Sequence, residues 1–180
     1  MPRLSCKRQF EETGRSAIVG LGNLLRGDEG LGVHAVARIS ETMGDNIHLD
    51  VIDGGTLGLS LIEPIASCSS LILIDAVNLD EAPGTTRVFV GRGMDSFLVN
   101  LKTRTAHDVN LVDLIHALRL IEGLPQARAL IAIQPGDLNW STEVTSPVDA
   151  ALMKLPDLCE ELLNFMRHTH LPPSPDWKLG

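Results

Sequence analysis

The chain lacks the features that mark several protein classes. It has no uninterrupted apolar run long enough for a membrane-spanning helix. Its N-terminus carries basic residues but no apolar segment behind them, so we expect no secretory signal. The three cysteines, Cys6, Cys68 and Cys159, are odd in number and form no CxxC pair, which is typical of reduced thiols. These absences predict a cytoplasmic protein that does not contact a membrane.

Basic residues are also fewer than acidic residues. The chain has 15 Lys and Arg against 23 Asp and Glu, a net charge of −8, which disfavours a nucleic-acid partner. An acidic surface suits a basic peptide or a cation instead. With 180 residues and no internal repeat, we expect one domain over 16–168, an N-terminal extension over 1–15 and a flexible tail over 169–180. Nothing in the pattern demands a second copy, and we expect a monomer.

Apolar periodicity predicts alternating strands and helices. Strands are predicted over 16–20, 47–52, 70–74, 85–90 and 127–133. Helices are predicted over 30–43, 56–68 and 107–121, with a last helix from Ser146-Pro147 to about His168, kinked at Pro156. The continuous apolar run at 70–74 is typical of a central parallel strand. This order predicts an α/β fold with a mostly parallel sheet of about five strands, covered by helices on both faces.

Polar side chains stand at the predicted carboxyl ends of the strands, the edge where open α/β folds bind ligands. Glu29 follows the first strand, Asp53 ends the second and Asp75 ends the third. His107 begins the helix after the fourth strand. A turn role for Asp53 and a capping role for His107 remain open. An ionised carboxylate such as Asp75, next to a buried strand, needs a partner to offset its burial.

The block around Glu29 is rich in glycine and reads Gly20-Leu-Gly-Asn-Leu-Leu-Arg-Gly-Asp-Glu-Gly-Leu-Gly32. It is not a dinucleotide loop, because Leu25 stands where the third glycine of G-x-G-x-x-G is required. Two adjacent acids would also repel a phosphate at the helix start. We therefore expect Asp28 to cap the helix and the glycines to let a substrate backbone come close.

Two carboxylates and one imidazole suit a divalent transition metal such as zinc or nickel. The candidate ligands Glu29, Asp75 and His107 lie far apart in the sequence, so the site depends on the fold. Without thiolates, such a site would bind a metal only moderately tightly. It could therefore exchange a metal or take it from a partner.

These motifs resemble the nickel–iron hydrogenase maturation endopeptidases. The resemblance covers roughly 16–168 and rests on a series of blocks in family order. The blocks are the glycine-rich run, Asp53-Gly-Gly-Thr56, Leu73-Ile-Asp-Ala-Val77, Pro83-Gly-Thr85, Thr105-Ala-His107, Ile133-Gln-Pro135 and Ser146-Pro-Val148. The first block and the ordered Glu…Asp…His set are the specific ones. The N-terminal extension and the proline-rich tail depart from the family pattern and leave the hydrogenase partner unspecified.

The resemblance implies a three-layer α/β/α sandwich and a proteolytic role. Family members cut a C-terminal extension from the hydrogenase large-subunit precursor once nickel has entered it. By resemblance, Glu29, Asp75 and His107 contact nickel supplied by the substrate, and we expect that other divalent metals can replace it. Asp53 falls on a further acidic position with a role in activity.

Two other functions are compatible with parts of the pattern. A non-catalytic assembly factor would recognise nickel in the precursor without cutting it. Peptidyl-tRNA hydrolases also carry a Gly-Leu-Gly-Asn block, but here Asn23 is followed by Leu24-Leu-Arg-Gly27, and the acidic charge disfavours tRNA.

Overall fold

The computed structural model describes residues 14–44, 46–101 and 109–168. The strands are β1 Ser16–Leu21, β2 Leu49–Gly55, β3 Ser70–Ala76, β4 Thr86–Val90 and β5 Ala127–Ile133. The α-helices are α1 Leu31–Met43, α2 Ile62–Ala66, α3 Arg92–Leu101, α4 Val109–Leu120, α5 Ser146–Leu152 and α6 Leu155–His168. Short 3₁₀ helices at Gly27–Gly30 and Gly58–Leu61 precede α1 and α2.

The five strands form one sheet in the order β2-β1-β3-β5-β4. The first four strands of that order are parallel, and β4 joins the edge antiparallel to β5. β3 lies in the centre, and its first five residues are buried, because side chains on both of its faces are covered. The predicted mostly parallel sheet of five strands is confirmed.

Each strand divides its side chains between two cores. In β1, Ala17 and Val19 belong to the core that also contains side chains of α2, α3 and α4. Ile18 belongs to the opposite core, with α1, α5 and α6. Burial of an aliphatic side chain of this size stabilises the fold by about 2–3 kcal/mol. The predicted α/β/α sandwich is confirmed, and the carboxyl ends of the parallel strands form one open edge.

Three local predictions differ from the structure. β2 begins at Leu49 rather than at Ile47, because the Asn46 side chain accepts the His48 N–H and holds a turn before the strand. The predicted last helix is two helices, α5 and α6, separated by a turn at 153–154. Pro156 lies in the first turn of α6, where no intrahelical N–H is required, and so it causes no kink there.

Some predictions fall outside the described residues. These include His107, most of the predicted extension and the whole tail from 169 onward, so both domain boundaries stay predictions. None of the described helices combines the length and the apolar character needed to cross a membrane.

Candidate functional site

Glu29 lies in the 3₁₀ helix that joins β1 to α1, directly above the carboxyl end of β1. Its side chain is 35% exposed and forms an ion pair with Arg26, with 3.0 Å between Oε2 and Nη1. A half-exposed pair of this kind adds little to stability, on the order of 1 kcal/mol or less. The pair therefore orients the Glu29 carboxylate while leaving it open to solvent.

Close contact between backbones brings Glu29 to the sheet. A Cβ at Gly22, whose φ is +129°, would overlap the carbonyl oxygen of Glu29. A Cβ at Gly32 would overlap the carbonyl oxygens of Leu21 and Ile74. These contacts give both glycines a packing role, and the approach of a substrate backbone stays a prediction. Both glycines allow the backbone at the start of α1 to pack closely against the ends of β1 and β3.

Asp75 is the penultimate residue of β3, and its side chain is half-buried at the open edge. Its Oδ1 accepts the N–H of Ala76 at 2.9 Å. Asp75 and Glu29 line one small cavity of about 70 Å³. The fold thus brings together two acids that are separated by more than forty residues of sequence.

The wall of this cavity comes from five parts of the fold: the ends of β1 and β3, the 3₁₀ helix with Glu29, the end of β2 with the segment after it, and α4. Besides the two acids, the lining residues are Leu21, Gly22, Gly55, Thr56, Gly58, Ala76, Leu111 and Leu114. Leu111 and Leu114 belong to α4, the first described helix after position 107. The residues that line the cavity include two carboxylates and no lysine, arginine or histidine, so the cavity favours a cation or a hydrogen-bond donor.

Asp53 lies on β2 at the same edge, but it does not line the cavity. Its side chain is exposed, and its backbone pairs with Gly20. The β1–β2 register shifts only after this pair. Val51 packs against the core with α1 and Ile52 against the core with α4, so alternation along β2 puts Asp53 on the face opposite α4, whose leucines line the cavity. A catalytic role for Asp53 stays a prediction.

His107 lies outside the described residues, so its position relative to Glu29 and Asp75 is not described. Over 14–44, 46–101 and 109–168, no three His, Cys, Asp or Glu side chains gather in a way that could hold a metal ion. The metal role of the three predicted ligands therefore stays a prediction.

Asp28 has a role that local pattern did not predict. Its side chain is fully buried and makes no helix-capping bond, so the predicted cap is wrong. Oδ2 accepts the N–H groups of Gly136 and Asp137 at 2.7 and 3.0 Å and the Thr145 hydroxyl at 2.8 Å. Oδ1 accepts the Thr145 N–H at 2.6 Å. Asp28 thus anchors the loop between β5 and α5 directly beside Glu29, its neighbour in the sequence.

The protonation of Asp28 follows from these contacts. Burial raises the pKa of the Asp28 carboxyl, but the hydrogen bonds from Thr145, Asp137 and Gly136 outweigh burial and leave the pKa below its ordinary value. Asp28 is therefore an anion at neutral pH. Because its partners lie 108 to 117 positions away in the sequence, no local signal identifies this role.

A larger groove of about 480 Å³ lies elsewhere, between the start of β4 and the α5–α6 helices. Its charged lining residues are Lys154, Asp157 and Glu161. It contains none of the predicted site residues. The small acidic cavity is therefore the better candidate, because it combines the strand-end location with two converging carboxylates.

Comparisons with known proteins point to one family. Residues 33–163 match the family described as hydrogenase maturation protease. The chain is 31% identical over 135 residues to hydrogenase expression/formation protein HupD of Rhizobium leguminosarum, which covers 74% of this chain and 66% of that protein. It is 29% identical over 139 residues to the hydrogenase 2 maturation protease of Escherichia coli, which covers 77% and 84%. The match spans 59% of HupD from Rhodobacter capsulatus, so the chain covers less than two thirds of these two HupD proteins.

Solved structures agree with the sequence relatives. The hydrogenase 2 maturation peptidase of a Thaumarchaeota archaeon is 32% identical, with a TM-score of 0.64 and coverage of 83% of this chain and 98% of that one. The E. coli hydrogenase maturating endopeptidase HybD is 26% identical, with a TM-score of 0.70 and coverage of 88% and 97%.

Proposed function

Because the chain belongs to the hydrogenase maturation protease family, as its motifs predict, we propose that it is an endopeptidase that processes a hydrogenase precursor. The relatives of known function are named maturation proteases or endopeptidases, which are peptide hydrolases. The substrate is the precursor of a nickel–iron hydrogenase large subunit, and the bond cut releases its C-terminal extension. The observation that carries this proposal is the convergence of Glu29 and Asp75 on one cavity at the carboxyl edge.

We propose further that the cavity recognises nickel already bound in the precursor. Glu29 and Asp75 offer two oxygen ligands, and a divalent cation accepts such ligands readily. A space of about 70 Å³ is enough for an ion with one or two waters, since a water occupies about 30 Å³. The two carboxylates that line the cavity favour this cation over an anion.

His107 is proposed as the nitrogen ligand. α4 supports this assignment, because Leu111 and Leu114 line the cavity and lie four and seven positions after His107 in the sequence. Residues at this spacing share one face of a helix. If the helix begins at His107, as the sequence predicts, its imidazole shares the face of Leu111 and Leu114.

The carboxylates supply proton transfer for peptide hydrolysis. A water attacks the scissile carbonyl carbon, a nearby carboxylate takes its proton, and that proton passes to the leaving amine. Nickel in the precursor holds the scissile peptide in register over the cavity, which raises the effective concentration of the reacting groups. Asp53, exposed on the same edge, is the remaining acid available for this transfer.

The proposal is tested with nickel-loaded precursor and intact-mass measurement of the product. We expect Glu29→Gln, Asp75→Asn and His107→Ala each to lower the cleavage rate at least about 100-fold. The matched controls Glu41→Gln, Asp113→Asn and His48→Ala change the same residue types at exposed positions away from the cavity. They should cleave at the wild-type rate. Wild-type rates in all three site variants would refute the site.

Two further outcomes separate the alternatives. Equal cleavage of nickel-free precursor would refute nickel recognition while leaving the protease intact. Binding of precursor by the wild-type protein without any loss of mass would refute the protease and favour the assembly factor.

A further inference from the structure

Large apolar side chains are exposed beside the acidic cavity. Leu24 and Leu25 follow β1, and Leu138 and Trp140 follow β5, with Trp140 79% exposed. We call these four residues the apolar rim. Exposed apolar side chains that cluster on one surface commonly mark an interaction site.

The apolar rim has a fixed shape. The Ser141 N–H donates to the Leu25 carbonyl at 3.1 Å, and the Gly27 N–H donates to the Ser141 carbonyl at 2.8 Å. The Arg26 guanidinium donates to the Leu138 carbonyl at 3.4 Å. The two loops are thus joined by backbone hydrogen bonds, and little ordering cost remains when a partner binds.

The apolar rim is continuous with the cavity. Arg26, which contacts Leu138, also forms the ion pair with Glu29. A second exposed apolar pair, Leu57 and Leu59, flanks the cavity-lining residue Gly58 after β2. In the strand order, the ends of β1 and β3, which carry the site acids, lie between the ends of β2 and β5.

This order sets the length of a bound segment. From β2 to β5 there are three strand spacings of about 4.8 Å, or about 14 Å. An extended chain rises about 3.3 Å per residue, so four or five residues cross this distance. Such a segment would pass over Glu29 and Asp75 with apolar contacts at each end.

We propose that the apolar rim and Leu57–Leu59 together bind the precursor segment that contains the scissile bond, as an extended chain of about five residues with apolar side chains at both ends. This inference rests on the proposed function, since it names the substrate surface of the same site. A second copy of this chain is a poorer occupant. Both copies would carry a net charge of −8, with the exposed acids Asp137 and Glu143 on the loop of the rim itself. The bound segment is therefore apolar and free of acidic residues.

The experiment measures binding and cleavage separately for the double variant Leu138→Ala/Trp140→Ala. The Kd is measured by binding of each variant to nickel-loaded precursor immobilised on a surface. Cleavage is measured from the intact mass of the precursor. We expect the Kd and the KM to rise about 10- to 100-fold with kcat within about twofold, because exposed aromatic anchors contribute to binding rather than to chemistry. The control Leu120→Ala/Met153→Ala removes exposed apolar side chains away from the edge and should leave both values unchanged. Circular dichroism and the Tm confirm that each variant is folded.

Three results would overturn the inference. One is an unchanged Kd and KM in the rim variant, and another is a fall in kcat alone. The third is a wild-type protein that sediments as a dimer while the rim variant sediments as a monomer, which would assign the surface to a second copy. If wild type binds the precursor without cleaving it, the proposed function fails, yet the change in Kd still decides the binding surface.

Discussion

The Asp28 side chain allows a stability prediction that follows from counted hydrogen bonds. Asp28→Asn keeps the shape of the side chain but replaces one acceptor oxygen with an NH₂ group. Four donors point at the carboxylate, and at least three of them, the N–H groups of Gly136, Asp137 and Thr145, cannot reverse their role. If the amide oxygen takes the Oδ2 position, the NH₂ group faces the Thr145 N–H, and one buried donor loses its partner.

The magnitude follows from two costs and one gain. A buried donor without a partner costs about 1–3 kcal/mol. The other three bonds lose the assistance of a charge, which adds about 1–3 kcal/mol in total. A neutral amide recovers part of the cost of burying an anion. Because the pKa of Asp28 lies below its ordinary value, the native site prefers the anion, so the sum must be unfavourable. We expect about 3 kcal/mol of lost stability.

Urea unfolding at pH 7 measures this loss. With a urea m-value of about 2 kcal/mol/M, the midpoint should fall by about 1.5 M. Asp113→Asn makes the same chemical change at an exposed position of α4 and should shift stability by less than about 0.5 kcal/mol.

The pH dependence provides an independent check with a defined sign. A carboxyl whose folded pKa is lowered contributes stability that is fully present above its unfolded pKa of about 3.9, and that is lost as pH falls through the folded pKa. The difference between wild type and Asp28→Asn should therefore be constant from pH 7 to 5 and shrink below about pH 4. A difference under 0.5 kcal/mol at pH 7 (roughly the spread among surface substitutions), or one that grows in acid, would refute the account.

Two further predictions concern packing and thiol chemistry. Gly32→Ala should lower the free energy of unfolding, measured in urea, by about 3 kcal/mol, because backbone carbonyl oxygens fill the space that the new methyl group would need. Gly91→Ala, at φ +52° with open space around it, should lower it by about 1 kcal/mol. Equal losses in the two variants would contradict the close-contact explanation. Burial raises the pKa of the Cys159 thiol to about 12. Iodoacetamide at pH 8 should therefore label Cys159 only after unfolding, as measured by peptide mapping. Rapid labelling of Cys159 in the folded protein would contradict this prediction.

The local pattern of apolar and polar residues predicted most of the sheet, because its strands are short apolar runs with turn residues between them. β5 has the predicted bounds, and β3 begins where predicted and extends two residues further. α3 was not predicted, although Met94, Leu98 and Leu101 are buried at helical spacing and carried a signal. Its Gly93 in the first turn and its four other polar or charged residues weaken the pattern. The antiparallel direction of β4 depends on tertiary pairing with β5, which periodicity does not encode.

The candidate site was predictable to the extent that it follows from parallel strands. Glu29 lies in the 3₁₀ helix that follows β1, and Asp75 lies at the end of the adjacent parallel strand β3, so both belong to one edge of the sheet. Asp53 satisfies the same rule on β2 but does not line the cavity, because alternation along β2 puts it on the face of Val51, opposite α4. The rule identifies the edge, whereas the face on which a side chain lies decides whether it lines the cavity.

Asp28 and Glu29 are neighbours with opposite environments, and the contrast explains the paired acids. Asp28 is fully buried and satisfied by four donors from the loop after β5, which also carries Leu138 and Trp140. Glu29 is one-third exposed and lines the cavity. One acid therefore fixes the position of a surface loop relative to the other acid. If the apolar rim binds the substrate, loosening this contact in Asp28→Asn should raise KM more than it lowers kcat, since the rim moves while the cavity acids remain in place.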